Sequence, residues 1–391
     1  MIKADVVVVG LGAYGAATLY QLAQAGLRAV GIDRFAPPHD RGSSHGDTRI
    51  TRAGVGEGAA YVPFAVRSHG IWRELEAEIG ERLYLDCGVL IIDGAAEAEF
   101  HGKRGIGECS IANARAAGIP HQVLSYAECI AAFPQFRLRG HETIYYEPGG
   151  GLVFPERCIA AQLAVAGRLG AEVITDETVT VIRPVSGGVE VVTETGLVIG
   201  AEQGVIAAGG WAPGMIGQPL GRMRLLRQTL HWFEPEDWRL YAPPACPSYI
   251  WTHGAGAEES FYGFPAIDGM ERRGVKIATE QYTDTIARPE DMDSNVSPKE
   301  TDRLYRRHLA GRMASLTPRA LHSAACLYTE APDGDFVIDR HPGNDRLVIV
   351  SACSGHGFKH SAGAGEHIAR LVTGAEQPNA AFLFGRSALV S

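Results

Sequence analysis

The seven cysteines, at positions 87, 109, 129, 158, 246, 326 and 353, form no CxxC pair, and their number is odd. That excludes a disulfide framework and fits no zinc site, so no metal is expected and a reducing compartment is the default. Long apolar runs are also missing: none approaches the roughly 18 residues of a membrane span. The opening Met1-Ile2-Lys3-Ala4-Asp5 enters an apolar strand within a few residues, which is not signal-peptide architecture. A cytoplasmic protein without membrane attachment is expected. Positive charge is short as well, with a net charge of -9, and this argues against nucleic acid as a partner because phosphate binding needs a basic face. Internal repeats and low-complexity tails are absent. What is present is an ordinary globular balance, 46% hydrophobic and 21% charged, with 48 glycines that point to many tight strand-to-helix turns. The 391 residues allow one large or two interleaved domains.

Val6-Val7-Val8-Val9 is a β-branched run of the buried-strand type. It leads through Gly10-Leu11-Gly12-Ala13-Tyr14-Gly15 into a helix-forming stretch to about Gln24, closed by Gly26, and then a second strand, Arg28–Ile32, ends on Asp33. A βαβ unit therefore opens the chain. Its counterpart lies at the far end: a strand at Leu347–Val350, a glycine-rich loop from Ser354 to Lys359 and a helix over 361–372. Between them fall a helix over 155–169 and a strand meeting a glycine turn at Val205–Trp211. Residues 225–285 alternate short apolar stretches with aromatics and turns, the pattern of antiparallel sheet. The expected fold is α/β, α+β overall: a Rossmann-like dinucleotide domain from residues 1–85, 145–220 and 320–391, interleaved with a mainly antiparallel-sheet substrate domain from 86–144 and 221–319.

Gly10-x-Gly12-x-x-Gly15 alone is a weak signal, but here a strand precedes it, a helix follows, and an acid sits 23 residues after Gly10. Gly10 makes the tight turn, Gly12 lets backbone N–H groups approach a pyrophosphate, and Gly15 lets helix and sheet pack closely. The helix N-terminus offers partial positive charge to the phosphates, and Asp33 accepts from the adenosine ribose. The plain alternative is a glycine turn without function. This motif does not separate NAD from FAD.

Four longer pieces do: Ser44-His45-Gly46-Asp47-Thr48-Arg49, Tyr262-Gly263-Phe264-Pro265, Ala325-Cys326-Leu327-Tyr328-Thr329 and Ser354-Gly355-His356-Gly357-Phe358-Lys359. Through them the chain resembles, nearly end to end, the monomeric sarcosine oxidase and N-methyltryptophan oxidase family, amine-oxidising D-amino-acid-oxidase-like flavoproteins. The resemblance implies FAD, tied by a thioether to Cys326, where a lone cysteine would otherwise be read as a small buried hydrophobe. It places Gly10, Gly12, Gly15, Asp33, Arg34, Ser44, His45, Thr48, Arg49, Val179 and the loop Gly355, His356, Gly357, Phe358 and Lys359 among the cofactor contacts. Arg52 and Lys359 become the pair that holds a substrate carboxylate, with Arg49 on the other side of the flavin. Lys276 becomes the cation that promotes reaction with oxygen, although a lysine between apolar neighbours in a strand reads on its own as facing water. Tyr262 and Tyr328 line the pocket and can each donate or accept a hydrogen bond. The glycine-rich loop, read alone, is equally a surface turn with a solvated lysine.

One departure bears on the substrate. Four residues after the lysine the family's sarcosine and methyltryptophan oxidases carry a histidine; this chain has Glu280, which engages the pocket or else faces solvent or an arginine. Two extra residues also enter between Tyr262 and Lys276, in the stretch 267–273. The implied activity is oxidation of a small secondary amine bearing a carboxylate, by a monomer, with oxygen as acceptor. Oxidation of a cyclic imino acid, a dehydrogenase serving a protein acceptor, and a non-enzymatic flavin sensor are the competing readings.

Overall fold

The computed structural model describes residues 1–391 other than 96–98, 102, 218, 219, 387, 388, 390 and 391. The β-branched N-terminal run forms the strand Ile2–Val9, which pairs in parallel with Ala29–Ile32 on one side and Val198–Ile206 on the other. Glu172–Ile174 extends the sheet beyond Ala29–Ile32, and Asn344–Ser351 pairs in parallel with the C-terminal half of Val198–Ile206. The N-terminal half of that same strand continues into an antiparallel meander with Gly188–Thr193 and Val179–Val185, giving an eight-stranded sheet once Val337–His341 is added. Helices Ala13–Gln24, Pro155–Arg168 and Ser361–Val372 pack together on one face, where Ala16, Leu19, Ile159, Ile368 and Leu371 are buried in one apolar cluster. The two ends of the chain thus build one core.

The second sheet has nine strands. One edge of it is the long pair Arg224–Pro235 and Leu316–Glu330, antiparallel from Arg224–Glu330 to Pro235–Leu316. Leu316–Glu330 runs across the expected boundary at 320 and remains within this sheet along its length. The middle segment is not wholly antiparallel: Ser248–Thr252 lies parallel to Val89–Asp93, a pairing between segments about 160 residues apart that local alternation does not reveal. Most helix and strand bounds lie close to those expected, because turn glycines set them; Gly26, for instance, has φ +76°, which a side chain rarely adopts. Among the described residues no helix is long and apolar enough to cross a membrane.

Candidate active site

A cleft of about 400 Å³ runs from the glycine turn at Gly10 to the second sheet. At its first end Gly10 has φ +88°, and a Cβ there would meet Ala207 O at 2.7 Å. A Cβ on Gly15 would lie 1.7 Å from Gly10 O, so Gly15 is required for the turn to close against the helix. Gly12 differs: a Cβ there would meet nothing nearer than Ser44 Oγ at 3.9 Å. The space beside Gly12 is open to the cleft, and the helix Ala13–Gln24 starts there with no side-chain cap and no acid in its first turn. Uncapped N–H groups at a helix start form an anion cradle. Asp33 fixes the turn, accepting from Leu11 N at 2.6 Å and Phe35 N at 2.9 Å, and lines the cleft with acceptor capacity to spare. Arg34 and Val179 line the same end, Arg34 paired with Glu290.

At the other end the residues are charged and buried. Arg52, 1% exposed, donates from Nη2 to Glu57 Oε2 at 2.8 Å and from Nη1 to Gly54 O at 3.1 Å. Lys359 donates to Glu57 Oε1 at 2.9 Å and to His356 O at 3.0 Å. Burial works to raise the Glu57 carboxyl, but Arg52 and Lys359 outweigh it and hold it well below its ordinary range. Burial pushes the Lys359 ammonium down to about 8, with Glu57 opposing the shift. His101 sits between two acids, Nδ1 3.3 Å from Glu57 Oε1 and Nε2 2.9 Å from Glu280 Oε1; burial favours its neutral form, yet Glu280 and Glu57 raise its pKa overall. Glu280 is buried and lines the cleft, and Tyr282 and Tyr328 also donate to it. The Tyr328 hydroxyl is 3.3 Å from that of Tyr262.

The wall between the two ends carries Ser44, Arg49 and the loop 355–359. Arg49 donates to Thr48 O at 2.9 Å and Ser43 O at 2.7 Å, and its Nη2 lies 3.7 Å from Cys326 Sγ. Cys326 is buried and touches these cleft residues without being one of the lining set; burial pushes its thiol pKa up against Arg49. Cys353, half-buried, does line the cleft. His45 and Thr48 are buried behind the lining, His45 held neutral by burial and Arg49 with a pKa of about 4. Lys276 does not face water as strand alternation alone would have it. It is 2% exposed and donates to Gly46 O at 2.6 Å, Thr48 O at 2.8 Å and Thr48 Oγ1 at 3.3 Å, with Phe264 and Trp232 around its ammonium. Burial and Arg49 push its pKa well below the ordinary lysine value. Nor does Glu280 reach an arginine; its partner is His101.

Glu57, His101 and Tyr282 escaped sequence reading. Glu57 had a faint local signal, an acid between two glycines near Arg52; His101 had none. Four buried polar atoms of lining residues, Arg52 Nε, His101 Nδ1, Thr329 Oγ1 and His356 Nδ1, have no hydrogen-bond partner among the described residues, and neither has His45 Nε2 behind them. Buried polar groups without partners are costly, so these atoms fit a polar ligand in the cleft. An anion cradle, an acceptor at the end of the second strand and a long channel between them fit a dinucleotide whose far ring reaches the charged end.

Comparison with known proteins agrees. Residues 5–371 match the DAO family, FAD dependent oxidoreductase. A monomeric sarcosine oxidase from Streptomyces avermitilis is 34% identical over 369 residues, covering 94% of this chain and 93% of that protein. An N-methyl-L-tryptophan oxidase from Yersinia pestis is 29% identical, with 93% of each chain covered. Among solved structures, the open form of the amino acid oxidase NikD superposes with a TM-score of 0.80 at 22% identity, over 97% of this chain and 96% of that one, a likeness of fold.

Proposed function

The chain belongs to the DAO family of FAD-dependent oxidoreductases, among the sarcosine oxidase-like amine oxidases that act on CH–NH donors, and from that premise we propose that it oxidises a small secondary amine bearing a carboxylate, such as sarcosine or another N-methyl amino acid, with oxygen as acceptor and hydrogen peroxide as product. The observation that carries the reading is the pair of buried cations, Arg52 and Lys359, sharing the single acid Glu57 at the cleft. One acid between two cations leaves a positive site in a low-dielectric wall, which is what a substrate carboxylate requires.

Bound FAD supplies the hydride acceptor for the carbon next to nitrogen. The turn Gly10–Gly15 would hold its pyrophosphate and Asp33 its ribose, with Arg34 and Val179 beside the adenosine. Ser44, Arg49 and the loop 355–359 would flank the ring, with His45 and Thr48 supporting them from behind, and Cys326 would tether it. Arg49 and the 355–359 backbone would put positive potential beside the ring, and Lys276, hydrogen-bonded through its amine to Gly46 and Thr48 despite its lowered pKa, would stabilise the negative charge that builds up as oxygen is reduced. Arg52 and Lys359 orient the substrate by its carboxylate, and their charge disfavours an ammonium beside them, so the amine binds ready to lose a hydride. Tyr262 and Tyr328 exclude water around it while offering hydroxyls to the amine.

Anaerobic titration of the holoprotein with N-methyl and cyclic amino acids tests this. Bleaching of the flavin by an N-methyl amino acid, with formaldehyde on turnover, is the expected result. Bleaching by cyclic imino acids alone, without formaldehyde, would replace the substrate class, and no bleaching by any carboxylated amine would end the proposal. For the tether, Cys326→Ala should release free FAD on acid precipitation while the parent and Cys353→Ala keep yellow pellets. Release from Cys353→Ala instead would move the attachment to that cleft-lining thiol.

A further inference from the structure

The carboxylate clamp leaves one buried acid of the cleft without a task. Glu280 is 3% exposed, lines the cleft, and receives three donors: His101 Nε2 at 2.9 Å and the Tyr328 hydroxyl at 3.3 Å on Oε1, and the Tyr282 hydroxyl on Oε2. An ionised carboxylate offers about four lone-pair positions, so one acceptor position on Oε2 is unused by the described residues. Its place is fixed from behind. Gly355 passes with φ +78°, and a Cβ there would lie 2.8 Å from His101 Nε2 and 3.0 Å from Glu280 Oε1, so only glycine lets the loop press on the pair. His101 also fixes the distance between Glu280 and the clamp, since its other nitrogen lies 3.3 Å from Glu57 Oε1. The acceptor position therefore stands one imidazole ring away from the acid that Arg52 and Lys359 share.

Three donors satisfy the charge of this carboxylate, and the remaining position on Oε2 can accept from a fourth donor in the cleft. The clamp does not need it, because Glu57 already serves both cations. We propose that Glu280 is a second recognition point, accepting a hydrogen bond from a hydroxyl or N–H group on the substrate beyond its carboxylate, with His101 as its positioning residue. The preferred substrate is then an N-alkyl amino acid whose side chain carries a hydrogen-bond donor, rather than sarcosine itself. This rests on the clamp reading above.

The test uses the holoenzyme and amine-free acids of matched size, so that binding is read without turnover. Calorimetric titration compares 3-hydroxypropanoate with butanoate and 4-hydroxybutanoate with pentanoate. The hydroxy acid of at least one pair should bind about 10-fold or more tightly than its methyl partner, the scale of a hydrogen bond to a buried charged acceptor. Glu280→Leu should abolish that preference and Glu280→Gln reduce it, while the methyl acids bind no more weakly than to the parent, as expected when a nearby negative charge is removed from an intact clamp and fold. His101→Gln, which keeps a donor for Glu280, should retain more of the preference than His101→Leu; a merely structural histidine would not be rescued in this way. Equal binding of both pairs by the parent, or a preference that survives Glu280→Leu, overturns the proposal and leaves the clamp standing. Binding of none of the acids overturns both.

Discussion

Replacing Lys359 by methionine tests the clamp at its most informative atom. The Lys359 ammonium has three protons, and two are committed, to Glu57 Oε1 at 2.9 Å and His356 O at 3.0 Å. The third remains for a ligand. A charge-assisted hydrogen bond in a buried site contributes about 1.5–3 kcal/mol, or about 10- to 150-fold in affinity. Methionine matches the stem in length, and Glu57 keeps Arg52 and His101, so the site should fold. The sign with pH follows from the ammonium's pKa of about 8, set by burial against Glu57. Below that pH the free enzyme offers a charged lysine; above it the lysine turns neutral and its contribution is lost. The assay is calorimetric binding of an amine-free carboxylate to both holoproteins from pH 6 to 9.5. Parent affinity divided by Lys359→Met affinity should be about 10–150 at pH 7 and fall towards one as pH rises through about 8. Glu57 is held ionised by the cations beside it, burial keeps His356 neutral, and His101 has Glu57 and Glu280 as partners in both proteins, so its effect largely divides out. A ratio below about 2 at pH 7, or one indifferent to pH, would remove Lys359 from the clamp.

Gly12→Val should yield a folded apoprotein that fails to take up FAD, because its Cβ meets only open cleft, whereas Gly15→Ala should cost folded yield outright, its Cβ falling 1.7 Å from Gly10 O; circular dichroism with flavin absorbance separates the two outcomes. Glu57→Gln strips the shared counter-charge from two buried cations and should cost about 3–5 kcal/mol in urea unfolding, and a loss under about 1 kcal/mol would show the cations to be solvated rather than paired. Lys276→Met should slow flavin reoxidation by oxygen, in stopped flow, at least about 100-fold more than it slows reduction by amine, the scale of losing one preorganised charge. A selective loss of the reductive step would place Lys276 in substrate binding instead.

What could be read from the sequence was what local chemistry dictates. The glycine turn, the strand before it and the acid after it are fixed by backbone sterics, and the helix Ser361–Val372 occupies the span expected for it. Arg49, Arg52, Tyr262, Glu280, Tyr328 and Lys359 all meet on one cleft, and only motif resemblance, not periodicity, brought those distant segments together beforehand. The family match bears out the recognition itself. Local reading failed where an environment is made by remote chain. Strand alternation turns Lys276 to water, but the segment Gly46–Thr48, some 230 residues earlier, supplies carbonyls that bury it. Reading a lone cysteine as a small buried hydrophobe misses Cys109 and Cys353, which are only half-buried. His101 reaches Glu280 across 179 residues, and Lys359 reaches Glu57 across 302, separations at which a single sequence carries no pairing signal.

The arrangement of acids explains how so charged a cleft can be stable and still bind an anion. Two buried cations without an acid would repel and destabilise the wall; with an acid each, they would be neutral and attract nothing. Glu57 between Arg52 and Lys359 takes the intermediate course, leaving a positive remainder that a substrate carboxylate completes. Glu280 would cancel that remainder if it stood alone, because its charge is close enough to act on the same ligand. His101, whose pKa both acids raise against burial, offsets it when protonated. Deprotonating His101 should therefore weaken carboxylate binding even though the imidazole need never touch the ligand. His101→Leu should weaken the binding of butanoate in the parent background but not in Glu280→Leu, where no second acid is left to offset. Equal losses in both backgrounds would mean that His101 acts through packing rather than charge.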